Sequence, residues 1–236
     1  MSIAENIVRI RNGMNAAAIA AGRNPEDILL CAATKMNGAD AVRQAIAGGV
    51  DCCGENRVQE LTAKLAEDAY RGAPVHFIGH LQTNKVRQVV GKVDLIQSVD
   101  SLRLMAAINA EAARLGILQD ILLEINIGGE ASKSGFAPEE IFDILEHTAE
   151  FPQIRIRGLM AIPPVCQNPG DNLKFFQKIR NLSVDITRKK YDNVTMDCLS
   201  MGMSDDYYDA ILCGSTMIRV GTAIFGQRDY NKSHHE

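Results

Sequence analysis

Asp27-Ile28-Leu29-Leu30-Cys31-Ala32-Ala33-Thr34-Lys35 is a short apolar run that closes on polar residues, the pattern of a strand buried on both faces of a parallel sheet. Before it, Ser2-x-x-Glu5 has the form of a capping box, and Ile3, Ile7, Ile10 and Met14 recur at helical spacing up to Gly22. A first helix is therefore expected over residues 3–21. After it, the same kind of run returns at Val50–Cys53, Val75–Ile78, Leu95–Ser98, Ile121–Ile127, Ile154–Leu159, Thr195–Leu199 and Thr216–Val220. Helical stretches separate the runs: Asp40–Ala47, Asn56–Ala66, Asn84–Val90, Ser101–Leu115, Pro138–Ala149 with its proline in the first turn, Leu173–Thr187 and Asp205–Leu212.

Strictly alternating strands and helices need a parallel sheet. Strand centres near residues 31 and 218 span seven intervals, a mean of about 27 residues, close to the repeat of an eightfold barrel. A doubly wound open sheet is the rival, but eight strands and the lack of a G-x-G-x-x-G turn after the first one disfavour it. The expected fold is α/β: a single (β/α)8 TIM-barrel domain over residues 1–236, preceded by an extra helix.

The chain has 236 residues, 46% of them hydrophobic, with 25 Lys+Arg against 29 Asp+Glu and no Trp. That composition belongs to a globular protein. The net charge of −4 and the 5% aromatic content argue against a general nucleic-acid binder. No apolar run reaches the length of a membrane span, and Met1–Asn6 does not open a signal peptide. The six cysteines, Cys31, Cys52, Cys53, Cys166, Cys198 and Cys213, form no C-x-x-C pair and no zinc spacing with a histidine. They read as reduced packing thiols of a cytoplasmic protein, Cys52 and Cys53 among them.

A barrel enzyme works at the C-terminal ends of its strands. The polar residues expected there are Lys35, then Gly54-Glu55-Asn56-Arg57, then Gly79-His80 to Lys85, then Asn126 with Ser132 to Gly135, then Ser200-Met201-Gly202-Met203-Ser204 and Arg219-Val220-Gly221-Thr222. The last two loops have the glycines and hydroxyls that bind phosphate, in the position where this fold commonly binds it. Ser200, Gly221 and Thr222 are read that way, and Ser204 as the N-cap of the next helix. Lys35, with its stem desolvated at a strand end, suits imine formation or a salt bridge. His80 reads as a base or a surface residue.

The motif at residues 29–35 resembles the cofactor-lysine strand of the pyridoxal-phosphate homeostasis proteins. Gly54–Glu60, His76–Lys85, Ser132–Gly135, Arg157–Pro163, Leu199–Asp206 and Gly214–Gly226 are similar to further motifs of that family, in order along the chain. The resemblance implies a barrel like the N-terminal domain of alanine racemase, with pyridoxal 5′-phosphate as cofactor. It implies an internal aldimine on Lys35, the phosphate at Ser200, Gly221 and Thr222, the pyridine nitrogen opposite Arg219, Met201 and Gly202 among the cofactor-binding residues, and Asn56 and His80 nearby. Where the family often has Lys-Thr-Lys-Pro, this chain has Lys35-Met36-Asn37-Gly38, so a second lysine is missing.

Pyridoxal phosphate acts as an electron sink that the protein tunes. A carboxylate opposite its ring nitrogen strengthens the sink, and Arg219 weakens it; a salt bridge from Arg219 to Glu55 is the competing reading. A racemase also needs an opposing acid/base from a second domain, for which no sequence remains after the eighth strand. The expected function is a monomeric, cytoplasmic cofactor-holding protein in pyridoxal phosphate homeostasis, not an enzyme, with pyridoxal-phosphate-dependent apo-enzymes as recipients. A low-activity amino-acid racemase and a Schiff-base aldolase without cofactor are the alternatives.

Overall fold

The computed structural model of the chain describes residues 1–130, 133–165 and 168–226. Ser132 and Cys166 lie outside the described residues. The strands are β1 Leu29–Ala33, β2 Cys52–Glu55, β3 Val75–Phe77, β4 Leu95–Val99, β5 Gln119–Ile125, β6 Ile154–Ala161, β7 Val194–Ser200 and β8 Met217–Val220. They pair in sequence order, all parallel, and β8 pairs with β1 to close the barrel. The helices are α1 Ile3–Ala20, α2 Ala39–Ala47, α3 Val58–Ala66, α4 Leu102–Leu115, α5 Ile141–Glu146, α6 Leu173–Lys189, α7 Tyr207–Leu212 and the short α8 Thr222–Phe225.

Closure fixes which way each side chain points, because neighbours along a strand face opposite sides. Inside lie Cys31, Cys52, Leu95, Leu122, Met160 and Met217, which form a small cluster of their own. Outside, Leu30, Cys53, Phe77, Ile96, Ile121, Leu123, Leu199 and Ile218 belong to the larger core between sheet and helices.

α1 has the expected capping box between Ser2 and Glu5. It packs on α2, α7 and α8, with Ile7, Ile10 and Met14 buried. Each such side chain contributes about 1.5–3 kcal/mol of burial. The Asn6 amide donates to the Ile224 carbonyl at 2.9 Å, tying the first helix to the last.

Among the boundaries that differ from expectation, four bear on the site or its supports. β2 begins at Cys52, because Asp51 turns aside to accept from the Leu30 amide and to pair with Arg11; Glu55 thereby falls within the strand. Residues Thr83–Gln88 wind as a 3-10 helix. α5 begins at Ile141 rather than Pro138, because Phe136 is still held extended by bonds to Glu124 and Asn126. α7 begins at Tyr207 with Asp206 at its N-cap, not Ser204.

The β6–β7 register shifts between Ile156 and Gly158. A Cβ on Gly158 would stand 1.8 Å from the Cys198 carbonyl oxygen, a backbone atom that cannot yield without displacing β7. Gly158→Ala is expected to destabilise the fold by about 3 kcal/mol or more, measured as the shift in a urea unfolding midpoint; an unchanged midpoint would contradict this account of the shift.

Candidate functional site

The C-terminal ends of the strands form a polar mouth. Lys35 follows β1 by two residues and shares parity with Leu29, Cys31 and Ala33, so it belongs to the interior side at the rim, partly buried. The segment after it is firmly held. The Met36 amide donates to Glu60 at 2.6 Å, and the Asn37 side chain donates to the Lys35 carbonyl at 3.0 Å. Asn37, standing where a second lysine was expected, therefore acts as a local clasp.

Behind Lys35 lies a buried polar network that the sequence did not announce. Glu55 faces outward from β2, between sheet and helix, and is fully buried. Its Oε1 accepts from Thr34 Oγ1, from Lys64 Nζ and, at 3.0 Å, from the Tyr70 hydroxyl. Lys64 Nζ also donates to the Thr34 carbonyl at 2.8 Å. Burial and the Glu55 charge both raise the Tyr70 phenol. This network anchors the turn that presents Lys35.

Arg219 faces the barrel interior from β8 and is 5% exposed. Glu55 and Arg219 point to opposite sides of the sheet, so the alternative salt bridge between them does not form. The guanidinium donates to the Ser200 carbonyl at 2.7 Å, to the Ser200 hydroxyl, and to the Ala161 carbonyl at 3.0 Å. These acceptors are neutral, and among the described residues no carboxylate lies within ion-pair distance of it. Burial lowers its pKa from the usual guanidinium value, yet it stays charged.

The Ser200 hydroxyl donates to Gln97 Oε1 at 2.6 Å, and Gln97 Nε2 lies 2.9 Å from His76 Nδ1. Ser200 is thus held by Gln97 and Arg219 on the interior side of β7. The Met201 side chain is fully buried in the outer core, so its side chain is packing. Gly202 turns the chain at φ +96°, where a Cβ would meet Ala210 at 2.6 Å, and its carbonyl accepts from the Arg219 amide at 2.9 Å.

Ser204, expected to be a cap, instead accepts from the Ala223 amide at 3.4 Å. It therefore joins Gly221 and Thr222 at the first turn of α8. Ala32 pairs with Val220, and a Cβ on Gly221 would lie 3.3 Å from the Ala33 carbonyl. The hydroxyl and glycine loop is thus the immediate neighbour of the Lys35 turn, with Thr222 exposed.

Asn56 and His80 line a cavity of about 230 Å³ with Glu124, Asn126, Lys133 and Ser134. Two buried acceptors there, Asn56 Oδ1 and Asn126 Oδ1, have no protein partner. His80 is largely exposed and holds Asp100 at 3.0 Å. Glu124 was not singled out from the sequence, although Asp120, Leu122, Glu124 and Asn126 share one parity of β5.

Residues 3–229 match the family model described as the alanine racemase N-terminal domain. A pyridoxal phosphate homeostasis protein of Aquifex aeolicus is 40% identical over 230 residues, covering 98% of this chain and all of that protein. Its counterpart in Escherichia coli K12 is 42% identical over 234 residues, covering 98% of each. The chain belongs to the pyridoxal phosphate homeostasis protein family. PipY of Synechococcus elongatus, solved with PLP bound, superposes with a TM-score of 0.82 at 32% identity, covering 95% of this chain and all of PipY. An alanine racemase of Clostridium difficile shares the fold, with a TM-score of 0.68 and 17% identity over 95% of this chain but only 56% of the racemase. No described helix of this family member is long and apolar enough to cross a membrane.

Burial raises the Glu124 carboxyl pKa, and the Asp100 charge raises it further. The folded state therefore binds this proton more tightly than the unfolded chain does. Its contribution is fully present below the ordinary carboxylate pKa and is lost as pH rises through the folded value. Urea titrations of the unmodified protein and Glu124→Gln from about pH 4 to about pH 8 should show the variant gaining relative stability with rising pH, then a plateau. A constant difference would contradict this.

Proposed function

We propose that this chain holds pyridoxal 5′-phosphate in the barrel mouth and serves in its intracellular homeostasis, passing the cofactor to apo-enzymes and catalysing little itself. The observation that carries the reading is the adjacency of Lys35 to the Ser204, Gly221 and Thr222 loop above a buried guanidinium. The PLP-bound PipY neighbour and the names of the full-length relatives support it.

The residues present fit the group. Lys35 would hold the aldehyde carbon through its amine. Gly202, Ser204, Gly221 and Thr222 would take the phosphate, with hydroxyls and with main-chain groups that glycine leaves uncovered. The unpartnered oxygens of Asn56 and Asn126 leave hydrogen-bonding capacity for polar groups of a ligand, and His80 would stand at the rim. Bound pyridoxal phosphate supplies an electrophilic aldehyde and an electron-withdrawing ring.

Arg219 decides how strong that withdrawal is. A guanidinium only donates hydrogen bonds, so a ring nitrogen set against it must keep its lone pair. Ser200 and Ala161 hold the guanidinium in place from below, which makes Ser200 a positioning residue. A site that grips the cofactor covalently while weakening its electron sink suits storage and delivery better than turnover.

Lys35→Ala should abolish cofactor retention after borohydride reduction, read by intact mass; a reduced adduct mapped to another lysine would remove Lys35 from this role. In a separate measurement, Ser204→Ala and Thr222→Val should each weaken pyridoxal phosphate binding roughly 10–100-fold. That is the effect of losing a charge-assisted bond of about 1.5–3 kcal/mol. Binding of pyridoxal itself should barely change. Ser200→Ala should weaken both ligands alike, because it acts through Arg219. Equal losses for both ligands in the Thr222 variant would contradict the phosphate assignment.

A further inference from the structure

Deep in the barrel, apart from the mouth, three metal-binding side chains meet. Cys31 on β1 and Cys52 on β2 are register partners, and His76 on β3 stands on the other side of Gly54, with which it pairs. Their donor atoms, two thiol sulfurs and an imidazole nitrogen, all lie within 4.8 Å of one another, and all three residues are buried. Sequence spacing concealed the group, because its members come from three strands and close only through barrel parity. Cys52 and Cys53 are adjacent in sequence but face opposite sides; only Cys52 has a histidine partner.

We propose that Cys31, Cys52 and His76 form a binding site for a thiophilic d10 metal ion, the class to which Zn2+ and Cu+ belong. Thiolate and imidazole are the ligand types that favour these ions. The surroundings carry the features of a built site. The Gln97 amide nitrogen lies 2.9 Å from His76 Nδ1 and holds the ring in place. The same amide touches Met217 Sδ at 3.2 Å, so a second kind of soft sulfur borders the group. Gly54 leaves the room: a Cβ there would come within 2.9 Å of Cys31 Sγ.

The site also has an approach. His76 and Met217 line a cavity of about 430 Å³ at the N-terminal end of the barrel. Its lining includes Glu26, Asp27 and Asp94, together with Asp120 and Asp197, which pair with Arg155 and Arg157, a net acidic field that favours cation entry. Coordination releases the thiol protons to solvent and forms the metal–sulfur bonds in their place; no electron is transferred.

The test uses the full chain, reduced and free of metal, titrated with Zn2+ against a competing chelator. A single tight equivalent is expected. Cd2+ in place of Zn2+ should give thiolate-to-metal charge-transfer absorption. Cys31→Ser and Cys52→Ser should each remove most of that band and weaken Zn2+ by more than 100-fold. Cys53→Ser, on the outer face, should leave it intact, as should Lys35→Ala, whose effect falls on the cofactor alone. If a serine variant fails to fold, the charge-transfer band of the unmodified protein still decides. Absence of stoichiometric Zn2+ and Cu+ binding, or binding that survives the Cys31 and Cys52 replacements, overturns the proposal.

Discussion

The hydrogen bonds between β8 and β1, from Leu29 opposite Met217 to Ala32 opposite Val220, turn an open sheet into a closed barrel. Closure removes both edges and divides every strand residue between two environments. The outer environment is large and apolar and is completed by the helices. The inner one is narrow, and there the chain places most of its unusual chemistry: two thiols, an imidazole, an amide, a hydroxyl and a guanidinium. α1 reinforces the arrangement, because it packs on α8, which follows β8, and on α2, which follows β1.

The buried guanidinium is the most costly member of that interior. Taking an ion out of water costs several kcal/mol even after relaxation, and Arg219 meets that cost with neutral acceptors rather than a carboxylate. Glu124, Asp206 and Cys31 favour its charge from a greater distance. The consequence is a cation whose donors are fixed and whose charge is not cancelled at contact. A carboxylate partner would have held Arg219 as firmly but would have hidden its field from the mouth.

Elements with periodic apolar residues were legible in the sequence, because repetition carries the signal. The eight strands, the parallel order and the first helix with its capping box follow from Ile3, Ile7, Ile10 and Met14 and from the recurring runs. Which residues reach one another across the barrel was less legible. Glu55 was expected in a loop at the mouth, yet it sits in β2 and faces out, since a shift of one residue reverses a side chain's face. Ser200 and Ser204 exchanged their expected settings: the first lies inward beneath the mouth, the second against α8. The Glu55, Lys64 and Tyr70 network and the Cys31, Cys52 and His76 group join residues from different elements, which no spacing rule detects. The family resemblance located Lys35 and Arg219, but it did not specify what holds them.

Gly54 explains how one interior can serve two ends. At its level a side chain would collide with Cys31 Sγ at 2.9 Å and with Ile78 Cδ1 at 2.8 Å, so the space there is already taken by Cys31 of β1 and by the residue that follows β3. The Lys35 turn, Asn56 and the loop of Gly221 and Thr222 lie toward the C-terminal ends of the strands, and the thiols, His76 and the acidic cavity toward their N-terminal ends. Side chains connect the two ends: Arg219, register partner of Cys31, donates to Ser200, whose hydroxyl donates to the Gln97 amide that touches His76.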